Sequence, residues 1–160
     1  MSASVDQERM AAVLIGMGQM MVIPGQVEDN LARAEEMIGR AGETGCDVVV
    51  LPECLDVGWT HPSARDLAEP IPGSRSRRLS AAARLYGVAV VAGLTERERD
   101  RVYNAAVLID KRGRIRLRHR KMNELVIGHT VYDVGDRLAV TRTEEGTFGV
   151  IDPTPKGGGL

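Results

Sequence analysis

Apolar and polar positions along this chain switch between two periods, and the switches mark its elements. Residues 11–23 (AAVLIGMGQMMVI) are almost continuously apolar and predict a buried strand, stopped by Pro24 and Gly25. From Glu28 to Ala41 the period becomes helical, with Leu31, Ala34, Met37, Ile38 and Ala41 on one face. Glu28, Asp29 and Asn30 offer acceptors and negative charge where the N–H groups of the first turn point outward, and Gly42 and Gly45 are expected to end the helix. The run Asp47-Val48-Val49-Val50-Leu51-Pro52-Glu53 is apolar and β-branched at its centre, which predicts a strand covered on both faces. Residues 54–73 carry Pro62, Pro70 and Pro72 and read as irregular. Ser74 to Tyr86 is a second amphipathic helix through Leu79, Ala82, Ala83 and Tyr86, closed by Gly87, and Val88 to Leu94 is another buried strand.

The order β-α-β-α-β predicts an α/β layer architecture. The pattern then changes. Val102–Ile109 and Arg114–His119 flank the turn Asp110-Lys111-Arg112-Gly113, and Arg137–Thr141 and Thr147–Ile151 flank another at Glu144-Glu145-Gly146. Such hairpins make the second half of the sheet antiparallel or mixed. The expected organisation is a disordered tail at 1–10, one domain over 11–151, and a loose tail at 152–160 (DPTPKGGGL) with no packing signal.

Composition narrows the function classes. The chain has 160 residues, 43% hydrophobic and 27% charged but only 3% aromatic, so Val, Leu, Ile, Ala and Met must fill the core. A net charge of −1 gives no global field for nucleic acid or an anionic membrane. No apolar run approaches the roughly 18 residues that would suggest a membrane span, and residues 1–10 do not read as a secretory signal, so the cytoplasm is the expected location. Cys46 and Cys54 form neither a disulfide framework nor a metal set, and His61, His119 and His129 lack ligand spacing, so no metal is expected.

Two charged residues stand where chemistry is plausible. Glu53 follows a fully buried strand at its carboxyl end, where open α/β sheets place ligands. A carboxylate there either serves a site or caps the turn after Pro52, and the residues alone do not choose. Lys121 ends the basic stretch RGRIRLRHRK. Alternation puts Arg112, Arg114, Arg116, Arg118 and Arg120 on one face as a solvated stripe, and Ile115, Leu117, His119 and Lys121 on the other. An inward lysine calls for a carboxylate partner, and Glu53 is the natural one. The competing reading is a phosphate-binding arginine strand, which the overall charge does not favour. Cys54, next to Glu53 in an extended chain, should face the opposite way and read as a small buried hydrophobe. Cys46 is read as structural.

These segments resemble the nitrilase superfamily of carbon–nitrogen hydrolases in order and spacing, over about residues 11–151. Gln19-Met20 with Asn30 to Glu35 resembles its first strand and helix. Gly45 to Glu53 resembles the strand that carries its glutamate, Tyr103-Asn104-Ala105-Ala106 its hairpin, His119-Arg120-Lys121 its lysine motif, and Gly135-Asp136 with Gly146 to Val150 the segments leading to its cysteine strand. The resemblance implies an α-β-β-α sandwich with a mixed sheet, here incomplete at the C-terminus. It implies a dimer or larger homo-oligomer without metal or organic cofactor, acting on a small amide, nitrile or carbamoyl compound. Glu53 would be the general base and Lys121 the cation at the tetrahedral oxyanion, with a cysteine attacking to give a thioester. Trp59 and the 54–73 loop are candidates to line the pocket. Glu124 and Glu144 are candidates for a second glutamate, and His129 occupies another plausible place.

The resemblance breaks at Gly149-Val150-Ile151-Asp152-Pro153, where Pro153 stands at the position of the cysteine, and the pattern stops abruptly, as a frameshift or truncation would leave it. The chain alone is therefore expected to be inactive. The alternative is a non-catalytic binding or interaction protein that pairs through an exposed sheet edge.

Overall fold

The computed structural model describes residues 12–150, so the two expected tails and Pro153 lie outside the described residues. Among the described residues, seven strands and three α-helices follow in the order β1 (Ile15–Met17), α1 (Val27–Glu43), β2 (Val48–Val50), α2 (Ala64–Leu67), α3 (Ser74–Tyr86), β3 (Ala89–Glu98), β4 (Arg101–Ile109), β5 (Ile115–Arg120), β6 (Val140–Arg142) and β7 (Thr147–Gly149). One five-stranded sheet has the order β1-β2-β3-β4-β5. β1, β2 and β3 are parallel, and β4 and β5 add antiparallel. The expected mixed α/β sheet is thus present. β6 and β7 form a separate two-stranded hairpin rather than extending that sheet.

α1 and α3 cover one face. Leu31, Ala34 and Ile38 of α1 and Leu79 and Ala83 of α3 bury against Val49, Val90, Ala92, Leu94, Ala105, Val107 and Ile109 of the sheet. Full burial of each Leu, Ile or Val here contributes about 1.5–3 kcal/mol, and the alanines less, so this layer dominates the cohesion of the fold. Gly87 ends α3 in the left-handed conformation, as its position predicts. α1 ends at Glu43 with Thr44 as its cap, while Gly42 lies inside the helix against the backbone of Tyr86.

Three expectations need correction. The apolar run 11–23 forms a strand only at Ile15–Met17, because β1 has just Val48–Val50 to pair with. Beyond it, Met20 and Val22 pack against the core from a loop. Asn30 does not cap its own helix. Its amide donates to the carbonyls of Ile23 and Asp56 at 2.8 and 2.9 Å, and its Oδ1 accepts from Ile23 N at 2.8 Å, tying two loops to α1. The arginine stripe of β5 alternates as expected but is not simply solvated. Arg118 and Arg120 both donate to buried Glu96, at 2.7 and 2.8 Å, while Arg114 and Arg116 pair with Asp110.

Candidate functional site

β5 is antiparallel to β4, which is antiparallel to β3, so β5 runs in the direction of β2 and β3. The segments that leave β2 and β5 therefore emerge at the same end of the sheet. Glu53 lies on the first and Lys121 on the second. Lys121 Nζ donates to Glu53 Oε1 at 2.8 Å. The lysine side chain is 13% exposed and the carboxylate 48%, so the pair sits at the mouth of the cluster rather than in the core.

The backbone fixes both partners. Residues 51–55 turn tightly over β3: Gly93 N donates to Pro52 O at 3.1 Å, and Leu55 N to Gly93 O at 2.9 Å. A Cβ on Gly93 would come within 2.5 Å of Glu53 Cα, so glycine is what lets this turn approach. Lys121 N donates to Asn104 O at 2.8 Å, and Lys121 O accepts from Gly135 N at 2.8 Å.

Asn104, in β4, joins the charged groups. Its Nδ2 donates to Glu53 Oε1 at 2.6 Å and to Glu124 Oε1 at 2.8 Å. Glu124 is buried and its Oε2 lies 3.8 Å from Lys121 Nζ, with no hydrogen-bond partner for that oxygen among the described residues. Two carboxylates from different segments thus share one amide and one ammonium, which offsets part of their desolvation and mutual repulsion. Asp56 anchors the turn from below. It is fully buried, accepts from Thr95 N, Thr95 Oγ1 and Val57 N, and pairs with Arg75 Nη1 at 2.7 Å.

Cys54 is buried with its thiol toward Asn104 Oδ1, at 3.4 Å, and Tyr132 OH, at 3.5 Å. Burial pushes this thiol up to about 12, only partly countered by the Tyr132 contact. The buried reading of Cys54 holds, but for a different reason than alternation: Cys54 is in the left-handed region at φ 44, within a turn. Cys46 borders a different cleft, with Thr44 Oγ1 3.6 Å from its Sγ.

The other expected residues divide. Glu124 joins the cluster. Glu144 does not: it pairs with Arg112 at 2.7 Å and is exposed. His129 is exposed on the 3-10 turn Gly128–Thr130 and does not join either. Trp59 is half-buried against the small apolar cluster of Cys54, Val57 and Tyr132, with its Nε1 unpartnered among the described residues. Asp56, Arg75 and Tyr132 are not among the residues that sequence patterning points to. Asp56 carried a usable signal, a carboxylate three positions after Glu53 in an apolar context.

Two carboxylates and an ammonium gathered beyond the carboxyl ends of a mixed α/β sheet form the kind of polar constellation on which α/β enzymes build their sites. Residues 13–153 match the carbon–nitrogen hydrolase family. The chain belongs to that family, within the nitrilase superfamily. It is 31% identical over 115 residues to omega-amidase NIT2 of Xenopus tropicalis, covering 71% of this chain and 41% of that protein. To the nitrilase of Pyrococcus abyssi it is 34% identical over 113 residues, 68% of this chain and 43% of that one. Its fold matches Nit3 of Saccharomyces cerevisiae, a member of branch 10 of the superfamily, with TM-score 0.77 and 25% identity over 86% of this chain and 54% of that chain. An amidase from Nesterenkonia sp. shares the fold at TM-score 0.76 and 20% identity, over 86% and 54%. The chain thus spans less than half the length of the curated relatives it matches.

Proposed function

We propose that Glu53, Lys121 and Glu124 are the acid–base and oxyanion-stabilising groups of a hydrolase for non-peptide C–N bonds in small amides or nitriles. The observation that carries this reading is the 2.8 Å contact between Lys121 Nζ and Glu53 Oε1 at the shared end of β2 and β5. In the division of labour we assign, Glu53 accepts the proton of an attacking thiol. Lys121, a fixed cation, stabilises the oxygen that gains negative charge as the carbonyl or nitrile carbon is attacked. Glu124, held by Asn104, keeps one carboxylate oxygen available to accept from a substrate N–H. Related enzymes support the class: in a mutant of the Nesterenkonia amidase, the acetamide moiety of fluoroacetamide adds covalently to the active-site cysteine.

We further propose that the 160-residue chain does not complete this reaction by itself. The sequence holds two cysteines. Cys54 faces Asn104 and Tyr132 inside the fold with a thiol that resists ionisation, and Cys46 borders another cleft. The expected result with small primary amides and nitriles is binding without turnover. In a ¹⁵N NMR titration with a primary amide, shifts should cluster at Glu53, Asn104, Lys121 and Glu124, and Lys121→Met should abolish them. Ammonia release and intact-mass spectra should show neither product nor adduct. An adduct on Cys54 would overturn the thiol assignment, and shifts confined to other residues would overturn the site.

A further inference from the structure

Among the described residues, the arginines split between ion-paired ones and others that no carboxylate meets. Arg75 pairs with Asp56, Arg78 with Glu28 and Glu35, Arg118 with Glu96, and Arg120 with Glu96 and Glu98. Arg77 and Arg84 are the exception on α3. Both are exposed, and among the described residues neither makes an ion pair. They lie seven positions apart on one helix face, roughly 10 Å along the axis, with Ser80 between them. Together with Arg112, Ser76 and Gly113 they line an open cleft of about 610 Å³, with no carboxylate in its wall.

The far wall is the β4–β5 turn, and it is well fixed. Asp110 Oδ1 accepts from Arg112 N and Arg114 N at 3.0 and 2.9 Å. Gly113 lets the turn close on α3, since a Cβ there would meet Ser80 O at 2.5 Å. Arg112 itself reaches Glu144 at 2.7 Å, but both side chains are mostly exposed, and an exposed pair of this kind contributes little and yields readily to a competing anion. The volume falls in the range of small-molecule sites.

We propose that this cleft between α3 and the β4–β5 turn is a binding site for a small polyanion carrying two or more phosphate groups. Guanidinium forks bind phosphate oxygens in pairs, and the Ser80 hydroxyl lies between the Arg77 and Arg84 positions to donate a further hydrogen bond. The site is separate from the Glu53–Lys121 cluster and does not depend on the hydrolase reading. Calorimetric titration of the full chain with inorganic tripolyphosphate at constant ionic strength tests it. One site per chain is expected, with ¹⁵N shifts confined to residues 76–84 and 112–113. The Arg77→Gln/Arg84→Gln double variant, checked for an unchanged thermal midpoint, should bind at least tenfold more weakly. Arg137→Gln, in a different basic recess with Arg118 and Arg120, should bind as the parent does. No binding, binding unchanged in the double variant, or equal loss in Arg137→Gln would overturn the proposal.

Discussion

At the residue scale, the candidate site depends on small side chains that let backbones meet. A Cβ on Gly93 would face three backbone atoms at 2.5–2.8 Å: Glu53 Cα, Cys54 N and Pro52 O. None can rotate away, so Gly93→Ala forces β3 and the turn apart. Overpacking of this kind costs about 1–3 kcal/mol. Urea unfolding should show a loss of that size, and the ¹⁵N shifts of Glu53 and Cys54 should move. A parent-like midpoint would mean that the turn is not pinned at Gly93. Cys54 gives a pH signature. Its thiol is raised in the fold from 9.0 to about 12, so the folded state holds a proton that the unfolded chain releases first. That stability is fully present below pH 9 and is lost as the pH rises toward 12, at up to about 1.4 kcal/mol per pH unit. Tyr132, also raised by burial, adds the same sign at higher pH. Unfolding measured between pH 8 and 11 should therefore steepen in the parent and flatten in Cys54→Ala. Of these residues, Glu53 and Lys121 were legible because strand ends and alternation point at them. Asn104 was not legible as the donor to both carboxylates, because that role depends on the β3–β4–β5 register. Glu124 was legible only as one of several candidates, since residues 121–127 follow no period.

At the element scale, the two helices show how close packing can outvote propensity. Gly42 lies in α1, where alanine would ordinarily be favoured by about 1 kcal/mol. Its Cβ, however, would sit 2.6 Å from Tyr86 O and 2.8 Å from Tyr86 Cβ at the end of α3. Gly39, one turn earlier, faces only the Tyr86 ring, at 3.1 Å. The ring can shift and the carbonyl cannot. Gly42→Ala should thus lower the thermal midpoint, while Gly39→Ala should leave it close to the parent value. A stabilised Gly42→Ala would show that α1 and α3 separate easily. The same scale explains what patterning could and could not tell. α3 was legible to the residue because its apolar face and terminal glycine agree. The strand at 11–23 was overread, because an apolar loop packed on a core has the same composition as a strand. The β3–β4 hairpin was underread. Its tip, Glu96 to Arg101, is wholly charged, and Glu96 is buried only because Arg118 and Arg120 arrive from β5 to pair with it.

At the scale of the molecule, several large apolar side chains of the described residues stand exposed, and some of them lie on a sheet edge. β1 is an edge strand of the five-stranded sheet, and its Met17 is 74% exposed. Val126 is 88% exposed and Val140 74%, on segments that follow β5 at the opposite edge of the sheet. Natural sheets usually protect such an edge with charge, proline or a covering element. Here the edge reads Ile15-Gly16-Met17, with none of these among its residues. A net charge of −1 supplies almost no repulsion between copies. Both terms favour association, in line with the homo-oligomer that the family resemblance implies. Light scattering should give a mass above the 17.3 kDa of one chain, rising with concentration. Met17→Lys places a charge on the edge without touching the Glu53–Lys121 cluster, and it should return the mass toward one chain. A parent mass that stays at one chain would show that the edge is tolerated as it is. A Met17→Lys mass equal to an associated parent's would move the contact away from β1, toward the exposed residues after β5.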